Sequence, residues 1–325
     1  MGKTEGDDNH GAEAARLLRH VIDAAVVPDG EVEKFRKTQR EQILKRVSSL
    51  AEVVTDPESP ELVDFVASLH RQFKPGEVEN LKVFQDELRG NGKPDSKAHY
   101  ICVVLRDPLN NEVASGAYGS VDNFGTLALR FTLTEASYLG EPPDPRADER
   151  DFKGFRGYRG TGVSQVADNL LMDKAVKLSG DKGLNAIVGE AVSRSEAYWN
   201  KFEIEAGNGM RRLYIQKPDG AEEEFKYRLP PLSWNSDGTP ASEEIEEHLQ
   251  VAVRGCKNQI SVNTLKEIVR HWWETWYIRG EEQFDNKEAW QKHIDTVWAI
   301  FEDLFRPVAD VENLVLRTRN EREFK

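Results

Sequence analysis

Gly157-Tyr158-Arg159-Gly160-Thr161-Gly162-Val163-Ser164-Gln165 is the stretch on which the reading of this chain turns. It lies between a strand and a helix. Three glycines allow a ligand close to the backbone, and Val163, Val166, Ala167, Leu170, Leu171, Ala175 and Leu178 then mark one buried helical face. The first-turn amides of such a helix have no partners within it. With the positive end of the helix dipole they form an anion site, and pyrophosphate is the ligand such turns commonly hold. Arg159 can add a charge. Glycine-rich turns also serve as plain punctuation before helices, so the surrounding elements decide between the two. GxxxxGK[ST] and GxGxxG are both absent, which excludes a Walker loop and a dinucleotide fingerprint.

Upstream, Thr126 to Thr134 alternates, with Leu127, Leu129, Phe131 and Leu133 on one face and Thr126, Ala128, Arg130 and Thr132 on the other. His99 to Leu105 and Val113 to Val121 form a hairpin around Asp107-Pro108-Leu109-Asn110-Asn111. Ser59-Pro60-Glu61 starts a helix carrying Leu62, Phe65, Val66 and Leu69, and Pro75-Gly76 opens another with Val78, Leu81, Phe84 and Leu88. Gly11 to Glu52 is helical and broken at Pro28-Asp29-Gly30.

Three parts result: a helical N-terminal arm (1–59), an α/β part (60–232) and a helical C-terminal extension (233–325). In the last, Ser242 caps a helix running to Arg254, with Gly255 as its end. Leu265, Ile268, Val269, Trp272, Trp273, Trp276 and Tyr277 form one apolar stripe, and Trp290, Ile294, Val297, Trp298, Phe301 and Phe305 form a second. So much apolar surface must pack, at about 1.5–3 kcal/mol for each large side chain buried. A helical hairpin is expected, resting on the α/β part or on the second subunit of a homodimer.

Forty-four Lys and Arg against 57 Asp and Glu leave a net charge of −13 over 325 residues, which argues against nucleic acid as a partner. Cys102 and Cys256 cannot build a disulfide framework, and no Cys or His spacing suggests a metal. The first 20 residues lack the apolar core of a signal peptide, and apolar runs elsewhere are broken before about 18 residues, so a cytoplasmic protein with no membrane partner is expected.

Arg159-Gly160-Thr161-Gly162-Val163-Ser164 resembles the Arg/Gln-x-x-Gly-x-Gly/Ala loop of the GNAT superfamily of N-acetyltransferases, with Ser164 in place of the final small residue. The resemblance extends in order from Pro60 to Leu232: helical segment, hairpin, strand, loop and helix, then the strand Leu184 to Glu190. Ser193 to Ile204 follows and resembles the family helix whose consensus ends Tyr-x-Lys-x-Gly-Phe. The resemblance implies an α/β fold of GNAT type, a mixed, mostly antiparallel sheet flanked by helices. It implies that the amides of Gly160, Thr161, Gly162, Val163 and Ser164 hold the coenzyme A pyrophosphate, with Arg159 near phosphate. The strand backbone at Leu129, Phe131 and Leu133 would pair with the pantetheine arm where it splays from Leu184 to Glu190. The implied activity moves an acetyl group from acetyl-CoA, a co-substrate used without metal, directly to an amine of a small molecule or peptide in a ternary complex.

Such a reaction needs a base for the amine proton and a donor, commonly Tyr, for the leaving thiolate. Aligning Lys201 with the consensus Lys puts Trp199 at the Tyr position, Glu203 at the Gly and Ile204 at the Phe, with Tyr198 one residue earlier. One residue is about 100° of helix rotation. An indole donates a hydrogen bond but delivers no proton, so Tyr198 is the candidate donor. Glu135, which follows the strand 126–134, and Glu190, which ends the next one, are the candidate bases. Leu139 to Gly157, with Pro142, Pro143 and Pro145, is longer than the family's link and suits a lid or specificity loop, from which Lys153 and Arg156 could reach phosphates. The acidic balance favours a cationic acceptor. The competing reading is a catalytically inactive acyl-CoA-binding or protein-interaction module on the same fold, which Trp199 and the added arms favour.

Overall fold

The computed structural model describes residues 29–73, 77–93, 95–109, 111–135, 158, 161–180, 183–191, 210–256 and 258–317. Helix α1 (Asp29–Ser48) leads to β1 (Ala51–Val54), α2 (Pro60–Gln72) and α3 (Leu81–Gly90). Strands β2 (Ala98–Arg106), β3 (Val113–Asp122) and β4 (Thr126–Thr134) make an antiparallel meander, and the chain then reaches α4 (Val163–Ser179) and β5 (Ala186–Ala191). There follow β6 (Arg211–Gln216), β7 (Glu222–Glu224), β8 (Tyr227–Leu229), β9 (Ile245–Val253), β10 (Gln259–Ser261), α5 (Val262–Trp276), α6 (Lys287–Phe305) and β11 (Asn313–Arg317). Among the described residues the strands run β1-β2-β3-β4-β5-β9-β6-β11-β10, with β7 on β6 and β8 on β9. Among the described residues only β4 and β5 pair in parallel, so the sheet is mixed, mostly antiparallel and flanked by helices.

Local chemistry explains most element ends. The Ser59 hydroxyl accepts the Leu62 amide at 3.3 Å ahead of Pro60, as the sequence predicts. The next helix starts at Leu81 instead of Pro75-Gly76, because the Asn80 side chain accepts the Val83 amide and supplies the cap. Strand β2 is buried on both sides: Ile101, Val103 and Leu105 join α1 and α4 in one core, and Cys102 and Val104 join α2, α3, α5 and α6 in the other. Covered faces on both sides explain why its sequence is a near-continuous apolar run.

Strand β4 departs from simple alternation. Leu129 lies opposite Gly119 while Phe131 lies opposite Tyr118, so Arg130 is an extra residue, a β-bulge. The bulge divides the four residues predicted to share a face: Leu127 and Leu129 enter the core with α4, whereas Phe131 and Leu133 enter the core with α2 and α3. The close partner strand makes the site intolerant, since a Cβ on Gly119 would stand 2.5 Å from the Ala128 carbonyl oxygen.

The C-terminal stretch corrects a second expectation. Ser242 to Arg254 contains no helix; Ile245–Val253 is strand β9, lying between β5 and β6. Leu249, Val251 and Val253 alternate with Gln250 and Ala252, a period of two that gains partners on both edges. Helices α5 and α6 do pack together, with Trp273 and Phe301 ring centroids 5.4 Å apart, and Trp276 reaches the sheet to donate its indole N–H to Ser120. The buried face of α6 is Ala289, His293, Val297, Phe301, Leu304 and Phe305, so Trp290, Ile294 and Trp298 are only half-buried.

His293 sits within this packing. Its Nε2 accepts the Arg279 amide at 3.0 Å, and its ring meets Trp234 edge-on and stacks on Phe284. Burial, with the Arg279 charge behind it, pushes the imidazole down to about 4. The unfolded chain therefore takes up this proton first, and the stability present above the ordinary value of 6.5 is lost as pH falls toward 4. Between those limits the wild type should lose about 3 kcal/mol more than His293→Asn in urea denaturation. Parallel pH profiles for the two proteins would show that His293 does not titrate differently on folding.

Candidate active site

The parallel register of β4 with β5 runs Thr126↔Ala186, Leu127↔Ile187, Ala128↔Val188, Leu129↔Gly189 and stops. Both strands continue. Strand β4 goes on to Thr134 along β3, and β5 goes on through Glu190↔Leu249 and Ala191↔His248 along β9. A wedge therefore opens between them at the bulge residue Arg130. Beside the opening, Gln250 of β9 lies opposite Gly189; its side chain is fully buried, and neither amide atom has a hydrogen-bond partner among the described residues.

Helix α4 stands against β4, its buried Asp168 accepting from the Thr132 hydroxyl at 2.8 Å. Its first turn differs from those of α2, α3, α5 and α6, where Ser59, Asn80, Ser261 and Asn286 each accept an amide. Here the cap is Gly162, at φ +91°, with no side chain to offer. Val163 is buried and Thr161 nearly so. Tyr158 braces the approach: its carbonyl accepts the Thr161 amide at 3.3 Å, and its hydroxyl donates to Asp107 at 2.9 Å. Asp107 also takes two hydrogen bonds from Arg46 of α1, at 2.8 and 2.6 Å. Burial opposes ionisation there, but Arg46, the Leu109 amide and Tyr158 hold the carboxyl below the usual range.

Across the sheet, one pair of acids meets the bulge residue Arg130, and a second pair involves β9. Glu79 and Glu87 are buried with Arg130 and Arg279, and the Tyr118 hydroxyl donates to Glu87 at 2.8 Å. Burial pushes the Glu87 carboxyl up to about 7 against the pull of Arg279 and Tyr118. Glu247 of β9 is one residue before the last partner of β5, opposite Tyr227 and on the face of Leu249 and Val251. Burial, then the charge of Glu77, pushes its carboxyl up to about 7. The connection before α3 thus carries Glu79, which binds Arg130, and Glu77, whose charge is felt at Glu247.

Leu129, at the last parallel pair, shares one core with Val163 in the first turn of α4, next to Thr161, Gly162 and Ser164, whereas the side chains of Phe131 and Leu133, beyond that pair on β4, enter the core on the opposite face. Glu135 lies one residue past β4, in an ion pair with Arg71 at 2.7 Å. The Glu190 backbone pairs in β5, and its side chain lies outside the described residues, as do Arg159, Gly160, Tyr198, Trp199 and the insertion 139–157. Sequence reasoning missed Arg130, Glu77, Glu79, Glu87, Glu247 and Gln250. A lone Arg inside an apolar strand was the one local signal.

No protein-family model and no curated protein matches the sequence. Solved structures do. An acetyltransferase of the GNAT family from Staphylococcus aureus Mu50 shares 10% identity at TM-score 0.33, over 63% of this chain and 99% of that one. The ribosomal-protein-S18-alanine N-acetyltransferase of Escherichia coli shares 14% at 0.31, over 64% and 96%, and an acetyltransferase from Streptococcus agalactiae 2603 shares 13% at 0.33, over 62% and 98%. The chain is similar to GNAT acetyltransferases. At these values the likeness is distant, and the site rests on register and helix geometry.

The conformation of Gly162 can be tested directly. A Cβ there would touch Leu44 at 3.7 and 3.8 Å, ordinary contact, so the cost of a side chain comes from the left-handed backbone. Gly162→Ala should lower unfolding stability by about 1–2 kcal/mol. An unchanged urea midpoint would mean that residue 162 does not hold this conformation in solution.

Proposed function

We propose that this protein is an acyl-coenzyme A-dependent N-acyltransferase of GNAT type, which passes an acetyl group directly to an amine. The observation that carries the reading is the wedge: parallel pairing ends at Leu129↔Gly189 while both strands run on, beside a helix N-terminus capped only by Gly162. An extended, amide-bearing arm is the ligand such a strand edge suits, and a pyrophosphate suits the first turn of α4. The buried, unpartnered amide of Gln250 fits the same arm, since a polar group enclosed without a partner is costly. Bound there, acetyl-CoA would supply the thioester. The chain would hold the arm along β4, the pyrophosphate on Thr161 to Ser164, and the thioester carbonyl near Arg130.

The acceptor would approach from the opposite face, between the connection before α3 and β9. Glu247 and Glu77 give that space a negative character, which suits a cationic amine. In the step itself the amine nitrogen bonds to the thioester carbon, the carbon–sulfur bond breaks, and the thiolate takes up a proton. Glu247 is better placed than Glu135 to accept the amine proton. A carboxyl poised near neutral pH can both take and release it, whereas Glu135 is committed to Arg71. Tyr198 remains the proposed donor to the thiolate.

Turnover of acetyl-CoA with a panel of di- and polyamines tests the reading. Release of free thiol should rise as pH passes about 7, where the raised Glu247 carboxyl loses its proton. Glu247→Gln should lower kcat by about 100-fold or more and remove that limb, with acetyl-CoA affinity unchanged. Tight acetyl-CoA binding without transfer to any amine would favour the inactive binding module; no binding would overturn both.

A further inference from the structure

Four buried ionic side chains from three separate parts of the chain meet on one face of the sheet. Glu79 precedes α3, Glu87 lies within it, Arg130 is the bulge residue of β4, and Arg279 follows α5. Their side chains are 3, 10, 6 and 9% exposed. Arg130 pairs with Glu79 and, at 3.2 Å, with Glu87; Arg279 reaches the same two acids at 2.9 and 3.9 Å. Trp276, the last residue of α5, lies against the Arg130 guanidinium at 4.1 Å. The backbone of Arg279 is itself clamped by α6, its N–H donating to His293 and its carbonyl accepting from the Trp290 indole, both at 3.0 Å.

A bulge can be lost by a one-residue slip. Were Arg130 to rejoin the alternation, Phe131 and Leu133 would turn toward α4, and the backbone groups beside the wedge would exchange directions. Apolar packing resists the slip only in part, because β4 runs between two apolar cores, and on the α4 side the Thr132–Asp168 hydrogen bond is the polar contact that opposes it. A charged side chain has no such freedom. Arg130 must stay where the two carboxylates are, which is the registry role for which buried ionic groups are best suited.

We propose that Arg279 is a positioning residue: through Glu79 and Glu87 it fixes Arg130, and so lets the α5–α6 hairpin set the register of β4 where it faces the wedge. This rests on the reading of that wedge as the acyl-carrier site. Arg279 touches neither the α4 N-terminus nor the strand edge and acts only through the acids. The C-terminal helices are then part of the machinery that shapes the site.

The test compares the full-length wild type with three variants. Arg279→Lys keeps the charge but loses the forked geometry; Arg279→Met combined with Glu79→Gln removes one charge of each sign; Trp290→Phe removes one hydrogen bond to the Arg279 carbonyl and no charge, so it stays folded. Acetyl-CoA affinity by calorimetry, kcat and the acceptor KM are measured for each folded protein. Acetyl-CoA affinity and kcat should fall roughly tenfold in the double variant and by less in Arg279→Lys and Trp290→Phe, with acceptor KM little changed. Hydrogen exchange in 130–134 should quicken in the same order. Folded variants with wild-type affinity, kcat and exchange would overturn the proposal, while a wild type that fails to bind acetyl-CoA would instead overturn the functional reading beneath it.

Discussion

Two parallel strands that begin paired and then part company impose the main constraint on this molecule. Parallel neighbours in a covered sheet normally exchange hydrogen bonds along their shared length, because buried backbone groups need partners. Strands β4 and β5 do so for four residue pairs only. Beyond Leu129 and Gly189 each follows its other neighbour, β4 along β3 and β5 along β9. The opening is therefore stabilised from outside, by the hairpin on one side and the β9 insertion on the other. It lies beside the α4 N-terminus because the chain passes through α4 on its way from one strand to the other.

Everything close to the opening serves its shape. The two cores on either face hold the sheet between helices, and the bulge at Arg130 hands β4 from one core to the other halfway along its length. Gly119 permits this by letting the β3 and β4 backbones approach where a methyl group would collide with the Ala128 carbonyl. Arg46, Asp107 and Tyr158 brace the approach to Gly162 from the α1 side. The buried ionic cluster does the corresponding work on the α3 and α5 side. Among the described residues no helix is long and apolar enough to cross a membrane, in keeping with helices that each spend one stripe on these cores.

Local signals in the sequence carried far. The Ser59 cap, the β2–β3 hairpin, the strand 126–134 and the helix after Gly162 follow from residues close together in the chain. The bulge was not legible, because alternation counts residues and cannot show that one of them is extra. Strand β9 was misread because Ser242 and Gly255 mimic helix caps, and its true signal depends on β5 and β6 lying on either side. Glu247 and Glu77 gained their interest from that insertion, being 170 positions apart in sequence. The ionic cluster joins residues 79, 87, 130 and 279, a pattern that only the folded chain assembles. Of the candidate site, Gly162 as the cap of α4 and the strand that leads to the wedge were legible, whereas Glu247, the base proposed above, was not.

The central claim is that the wedge receives an extended acyl carrier along β4. Hydrogen–deuterium exchange of the full-length protein, with and without saturating acetyl-CoA, reads this at the backbone. The account predicts slower exchange in two segments together, residues 130–134 beyond the last parallel pair and residues 161–166 at the start of α4. Unchanged exchange in both segments while acetyl-CoA is demonstrably bound, or protection confined to a region remote from them, would contradict it.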